Sequence, residues 1–191
     1  MIAGRARGLR LQAPGAGTRP LNDRVKQTLF AVLEPRLVGA AVLDLFAGSG
    51  AAGIEALSRG AASAVFVERD RAAASVIEAN LARTGLGGPA ARVVRSEALA
   101  WLTGAGPDRG PYDVVIVDPP YAEVELLARV LAYLGGPGRR LLGDDPVVVA
   151  KHFWRDRPPP VAGLLASLDE RRFGETALTF YRRRDRPEVS R

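Results

Sequence analysis

The chain has 191 residues, 47% of them apolar, with one histidine, His152, and no cysteine. That length suits one domain with a real core. The composition excludes disulfides, thiolate metal sites and cysteine nucleophiles, rules out a histidine-rich metal centre, and argues against a Ser-His-Asp triad. The net charge of +6 is uneven: residues 1–26 carry six basic side chains and one acid, 27–150 eleven and fourteen, and 171–191 seven and three. An excess at both ends suggests a polyanion held by the terminal segments. A genome bias toward arginine explains why only Lys26 and Lys151 are lysines, but not where the surplus lies. No apolar run is long enough to span a bilayer and no leader pattern opens the chain, so a cytoplasmic protein is expected.

In chain order, residues 1–13 read as a short hairpin: Ile2 and Ala3, a turn near Gly4 to Gly8, then Leu9-Arg10-Leu11. Arg5, Arg7 and Arg10 would point from it toward phosphates. Pro14 to Gly17 is a loop. Asn22 or Asp23 can cap a helix whose apolar positions are Val25, Leu29, Phe30, Val32 and Leu33. Arg19, Arg24 and Lys26 lie at or before its start, on either a solvated face or one turned to a substrate.

Residues 41–53 organise the rest. Ala41-Val42-Leu43-Asp44-Leu45-Phe46 is an apolar strand, Ala47-Gly48-Ser49-Gly50 a tight turn, and Ala51 onward a helix. Strand, glycine turn and helix open a nucleotide-binding βαβ unit. Gly50 can adopt a backbone conformation closed to other residues, and Gly48 lets a ligand approach the main chain. The second strand, Ala64–Glu68, ends on an acid that can accept from ribose hydroxyls, whether of NAD or of S-adenosylmethionine. Asp44 leans toward the second: a carboxylate beside the turn suits a ligand with an ammonium and a sulfonium and would repel a pyrophosphate. A turn or helix-capping carboxylate is the competing reading of Asp44.

A second helix spans Arg71–Arg83 and a third strand Ala91–Arg95. Ser96 is a candidate cap for the helix that follows. Glu97 and the main chain of Ala98 fall where an adenine would lie, although a first-turn acid favoured by the helix dipole fits Glu97 equally. After a loop at Gly104 to Pro111, Tyr112–Val117 is a nearly continuous apolar run, as expected of a central parallel strand. A helix follows over Glu123 to Leu134, then a fifth strand at Pro146–Ala150. Leu164–Arg172 and Thr176–Arg182 form a terminal antiparallel pair, and Asp185 to Arg191 a frayed tail. Strands alternating with helices give an α/β fold with a doubly wound, mainly parallel sheet.

The central strand runs into Asp118-Pro119-Pro120-Tyr121. Two prolines fix φ, remove two donors and hold the preceding residue extended. The corner presents the Asp118 carboxylate and the Pro119 carbonyl as acceptors. An exocyclic amine on a planar base has two protons for such a pair, and those bonds turn its lone pair out of the base plane, toward a methyl sulfonium. Tyr121 offers a flat face on which a splayed base stacks. Such an amine is barely basic, so no histidine base is required. A structural turn with a core tyrosine is the bland alternative.

Asp44-x-Phe46-x-Gly48-x-Gly50 together with Asp118-Pro119-Pro120-Tyr121 resembles the class I S-adenosylmethionine-dependent methyltransferases that act on exocyclic amines. The resemblance narrows with Ile2–Gly8, Thr18-Arg19-Pro20, Asp23-Arg24-Val25-Lys26 with Leu29-Phe30, and Phe173-Gly174-Glu175-Thr176 through Phe180-Tyr181, which look like the bacterial RsmD family. It implies a seven-stranded sheet and methylation of N2 of guanine 966 in 16S rRNA of the small ribosomal subunit. Asp44, Gly48 and Gly50 would surround the methionine part of the cofactor, Glu68 would hold the ribose, Glu97 and Ala98 the adenine region, and Phe46, Ala47, Ser49, Arg69 and Asp118 would also contact the cofactor. Asp118, Pro119 and Pro120 would hold the amine and Tyr121 stack the base, while Arg5, Arg7, Arg10, Arg19, Arg24 and Lys26 would meet RNA. Residues 1–36 would face substrate and 37–184 form the catalytic core of one domain. No metal, no membrane and a monomer are expected, with rRNA or a partly assembled subunit as partner. Ser96-Glu97 stands where many class I enzymes have Gly-Asp, and Lys151-His152 where relatives often have an acid; no role is assigned to Lys151. The other readings are a class I methyltransferase on adenine N6 or protein glutamine, an NAD(P)-dependent oxidoreductase with Arg69 on a 2′-phosphate, and a non-catalytic RNA-binding module.

Overall fold

The computed structural model describes residues 1–13, 15, 23–104 and 110–184. Eight strands form one sheet in the order β3-β2-β1-β4-β5-β8-β7-β6. The five strands β1 (Ala41–Leu45), β2 (Ser63–Glu68), β3 (Ala91–Arg95), β4 (Tyr112–Val117) and β5 (Leu142–Phe153) are parallel. β8 (Thr176–Arg183) then pairs antiparallel with β5, β7 (Leu165–Phe173) with β8, and the two-residue β6 (Val161–Ala162) with β7. The expected doubly wound sheet and terminal antiparallel pair are present. The eighth strand is the short edge piece β6, too brief to leave a period in the sequence.

Helices α1 (Asp23–Leu33), α2 (Ala51–Ser58), α3 (Arg71–Thr84), α4 (Ala98–Thr103) and α5 (Val124–Gly135) cover the sheet. One apolar layer joins α1, α2 and α3 to one face through Phe30, Leu33, Ile54, Phe66 and Ile77. The other joins α4 and α5 to the opposite face through Trp101, Leu131, Val115 and Val148. The central strands are buried on both faces, which is why β1 and β4 read as continuous apolar runs. Asp70 caps α3 by accepting from the Ala73 N–H at 2.8 Å, and Gly85 closes it in the left-handed region at φ 67°. Ser96 does not cap α4: Glu97 occupies the cap position and the Ser96 hydroxyl donates to the Glu97 carbonyl instead.

The expected N-terminal hairpin is absent, because residues 1–13 contain no strand. The N–H groups of Ile2, Ala3, Arg5 and Ala6 are taken by α2. The Glu55 carboxylate, fully buried, accepts from the Ile2 and Ala3 N–H groups at 2.9 Å each and from Arg59 Nε at 2.9 Å. The Ser58 hydroxyl accepts from the Ala6 N–H, and its carbonyl accepts from the Arg5 N–H at 2.8 Å. Within the loop the Met1 ammonium donates to the Leu9 carbonyl, and the Arg7, Gly8 and Leu9 N–H groups donate to the Gly4, Met1 and Ala6 carbonyls as turn bonds rather than a strand ladder. The chain then climbs α2 and α3 to reach Asn80, which accepts from the Gln12 N–H at 2.7 Å. No helix among the described residues is long and apolar enough to cross a membrane.

Candidate active site

β1 and β4 are neighbours with Asp44 opposite Ile116 and Leu45 opposite Val117. Their carboxyl ends therefore deliver the glycine turn and the Pro-Pro corner side by side, and the Asp118 N–H reaches back to the Leu45 carbonyl. A cavity of about 1230 Å³ opens there, lined by Asp44, Phe46 to Ser49, Glu68, Glu97 and Asp118 to Tyr121 among others. Ligands of doubly wound sheets collect at this edge.

The turn is built as its glycines require. Gly48 and Gly50 have φ of 55° and 75°. The space beside Gly48 is open, whereas a Cβ on Gly50 would lie 3.0 Å from Ile77. Gly53 serves packing: a Cβ there would fall 2.3 Å from the Phe66 ring. Phe46 is the one non-glycine residue with positive φ, 63°, among the described residues. Such a conformation in a bulky residue stores strain and marks a functional position.

Two carboxylates brace this turn. Asp44, only 2% exposed, accepts from the Gly53 N–H at 2.9 Å, so it ties β1 to the first turn of α2. Burial pushes its pKa up to about 8 against the pull of the Gly53 N–H, and the carboxylates of Asp118 and Glu68 push it further the same way. Glu68 accepts from Gly48 and Asp70 N–H groups at 2.8 and 2.9 Å and so clamps the turn to the end of β2. Arg69 lies between Glu97 at 3.6 Å and Glu123 at 3.1 Å. Those two acids already engage the guanidinium that the oxidoreductase reading offers to a 2′-phosphate.

At the corner, Lys151 donates a hydrogen bond to the Asp118 carboxylate. Burial raises the pKa of Asp118, and the Lys151 ammonium opposes that rise. Lys151 Nζ also lies 5.2 Å from the centre of the Tyr121 ring. Tyr121 is pinned by a 2.5 Å hydrogen bond between its hydroxyl and Thr176 Oγ1, and its ring is 6.2 Å from that of Phe153. Lys151 was the residue without a role in sequence. Parallel pairing of Val117 with Ala150 puts it one step further along, opposite Asp118, and the signal was its place as the first charge after an apolar strand. His152 turns the other way: it is buried, bonded to Thr179 Oγ1 at 2.8 Å, and burial depresses its pKa. Among the described residues no acidic or histidine cluster could hold a metal.

The basic residues divide. Gly15 and, from α1, Val25 and Leu29 line the cavity, while Arg19 lies outside the described residues. Arg24 is exposed near that wall, while Lys26 is buried and 3.7 Å from Asp23. Arg10 is exposed on the ascending stretch. Arg5 and Arg7 are seated at the far end of α2, about 12 Å of helix below the turn. Arg5 reaches the Leu57 carbonyl at 3.5 Å, where a cation complements the helix dipole.

Residues 1–182 match the family described as Conserved hypothetical protein 95. The chain belongs to that family. It is the RsmD family that the motifs resemble. Ribosomal RNA small subunit methyltransferase D of Escherichia coli strain K12 is 39% identical over 184 residues, spanning 96% of this chain and 89% of that protein. A solved Escherichia coli structure, provisionally described as a methyltransferase, aligns with a TM-score of 0.81 at 38% identity and covers 97% of this chain and 98% of its own. A hypothetical protein of Thermus thermophilus gives a TM-score of 0.78 at 36% identity, over 93% of this chain and 95% of that one.

Proposed function

We propose that this RsmD-family chain transfers a methyl group from S-adenosylmethionine to the exocyclic N2 amine of a guanine, of the guanine 966 type, in 16S rRNA of the small ribosomal subunit. The observation that carries the reading is one cavity lined by both the glycine turn and the Asp118–Tyr121 corner. The 39% identity to a ribosomal RNA small subunit methyltransferase supports the substrate class.

The cavity suits a cationic donor. Asp44, Glu68 and Asp118 face it closely enough that the latter two raise the pKa of the first, so an entering positive charge relieves mutual repulsion. S-adenosylmethionine supplies an electrophilic methyl on a sulfonium. The strained turn from Phe46 to Gly50 holds the methionine part against open main chain at Gly48, Glu68 with Arg69 takes the ribose side, and Glu97 with the Ala98 main chain the adenine side. The Asp118 carboxylate and the Pro119 carbonyl accept the two amine protons and aim the nitrogen lone pair along the line of transfer. Lys151 favours the ionised Asp118 carboxylate against the burial that raises its pKa. Tyr121, immobilised by Thr176, stacks the splayed base. Pro120 stiffens the corner.

Arg24, exposed beside the cavity-lining Val25, meets RNA near the target together with Arg10 and Arg19, buried Lys26 supports the start of α1 through Asp23, and Arg5 and Arg7 meet RNA only where it wraps below α2. Residues 1–36 are thus the substrate-facing part of one catalytic domain, which acts as a cytoplasmic monomer on rRNA or a partly assembled subunit. Thermal denaturation with S-adenosylhomocysteine and with NADPH, alongside transfer of labelled methyl to small-subunit RNA from cells lacking the protein, tests the reading. Stabilisation by the former alone with label in RNA supports it; stabilisation by NADPH, or no label in RNA, overturns it.

A further inference from the structure

Beyond the corner the aromatic surface continues. The Phe153 ring, 6.2 Å from that of Tyr121, is 6.4 Å from that of Trp154, so three rings step from the cavity toward the outer edge of the sheet. Trp154 is half-buried, and its backbone N–H donates to the Glu175 carbonyl at 3.0 Å, at the tip of the β7–β8 hairpin. The guanidinium of Arg172 lies 3.6 Å from the centre of the Trp154 ring and that of Arg155 lies 4.9 Å away. Both arginines are exposed. Nearby Arg157 and Arg171 are neutralised by Glu170 at 3.2 Å and Asp169 at 2.8 Å. Among the described residues no carboxylate pairs with Arg155 or Arg172. Their charge is held over a ring instead of being cancelled.

Guanidiniums over an indole ring with uncancelled charge match single-stranded nucleic acid, whose bases stack on aromatic or guanidinium faces while phosphates meet the cation. A folded protein partner would find little apolar area here, and a lone base pocket would not need two cations. Resting on the reading of the cavity as an RNA methylation site, we infer that Trp154 with Arg155 and Arg172 is the docking platform for the RNA strand adjoining the methylated base. One neighbouring nucleobase stacks on the Arg172–Trp154 pair. Its phosphates pair with the two guanidiniums. The target base continues inward, past Phe153, to Tyr121.

The test is fluorescence anisotropy of a labelled small-subunit rRNA hairpin, carrying a guanine in its unpaired loop, with the full chain from 50 to 200 mM salt. Trp154→Ala weakens binding about ten-fold, the scale of one lost base stack. Trp154→Phe restores most of it. Arg172→Ala reduces the salt slope by about 0.7, one phosphate contact on a single strand. Affinity for S-adenosylhomocysteine stays at the wild-type value in all three. Wild-type RNA affinity in Trp154→Ala, or a wild-type salt slope in Arg172→Ala, overturns the platform. Should Trp154→Ala lose its response to S-adenosylhomocysteine, a sign of misfolding, Arg172→Ala decides alone. Binding is read without methyl transfer. A wild-type chain that methylates this RNA while both variants bind it normally refutes the platform but not the function; one that binds through Trp154 yet transfers no methyl refutes the function but not the platform.

Discussion

Replacing Asp44 by Asn removes a titrating group while keeping an oxygen for the Gly53 N–H, now accepted at 2.9 Å. Burial pushes the Asp44 pKa from 3.8 up to about 8. The folded chain thus binds a proton that the unfolded chain has released, so the stabilisation is complete below about pH 4 and lost as pH rises through 8. At 1.36 kcal/mol per unit, the cofactor-free protein loses about 5 kcal/mol across that window. Asp118, also raised, adds to the loss in the same direction. A cationic ligand needs the ionised form, which is about one-tenth of the total at pH 7. Its binding therefore strengthens by up to about ten-fold per pH unit below 8. The assay is urea denaturation from pH 4 to 9 and calorimetric titration with S-adenosylmethionine between pH 6 and 7.5, for wild type and Asp44→Asn. The variant is expected to lose most of the stability slope, to be the more stable protein at pH 8 without ligand, and to bind the donor more weakly with a flatter pH dependence. Parallel wild-type and variant slopes would refute the assignment of Asp44 as the buried acid that faces the donor's charge.

Asp118→Ala is expected to lower methyl transfer by at least about 100-fold with S-adenosylhomocysteine affinity unchanged; activity within a few-fold of wild type would remove the amine-acceptor role. Lys151→Met leaves a partly buried carboxylate without its cation, so the acid limb of the pH–rate profile moves to higher pH and kcat at neutral pH falls about 10- to 100-fold. Lys151→Arg recovers part of both, and an unmoved acid limb would show that Lys151 does not act through Asp118. Gly53→Ala drives a Cβ to within 2.3 Å of Phe66, and thermal denaturation should show a loss of about 1–3 kcal/mol; an unchanged Tm would mean that α2 lifts off β2 freely.

The two motifs were legible because each is local. Gly48 and Gly50 need positive φ, and two prolines after a buried strand admit few conformations. Parallel order followed from the alternation of β and α patterns. What escaped depends on contacts across the chain. Residues 1–13 carry the alternation and turn residues of a hairpin, yet Glu55 and Ser58, more than fifty residues on, take their N–H groups first. The capping reading of Asp44 is met by its bond from the Gly53 N–H, and the same side chain lines the cavity, a placement that sequence spacing alone does not give. Lys151 meets Asp118 only through the β4–β5 register. The charge surplus near the ends was visible, but not its division: Arg5 lies below α2, whereas Arg172 folds back onto Trp154 beside the cavity mouth.

Mass spectrometry of small-subunit rRNA, methylated by this chain with isotopically labelled S-adenosylmethionine, bears most directly on the shared cavity. The expected product is labelled N2-methylguanosine at a single site in the wild-type reaction and none with Asp118→Ala. Label on a ring nitrogen, a ribose or another base, or undiminished N2 label with Asp118→Ala, would contradict the account.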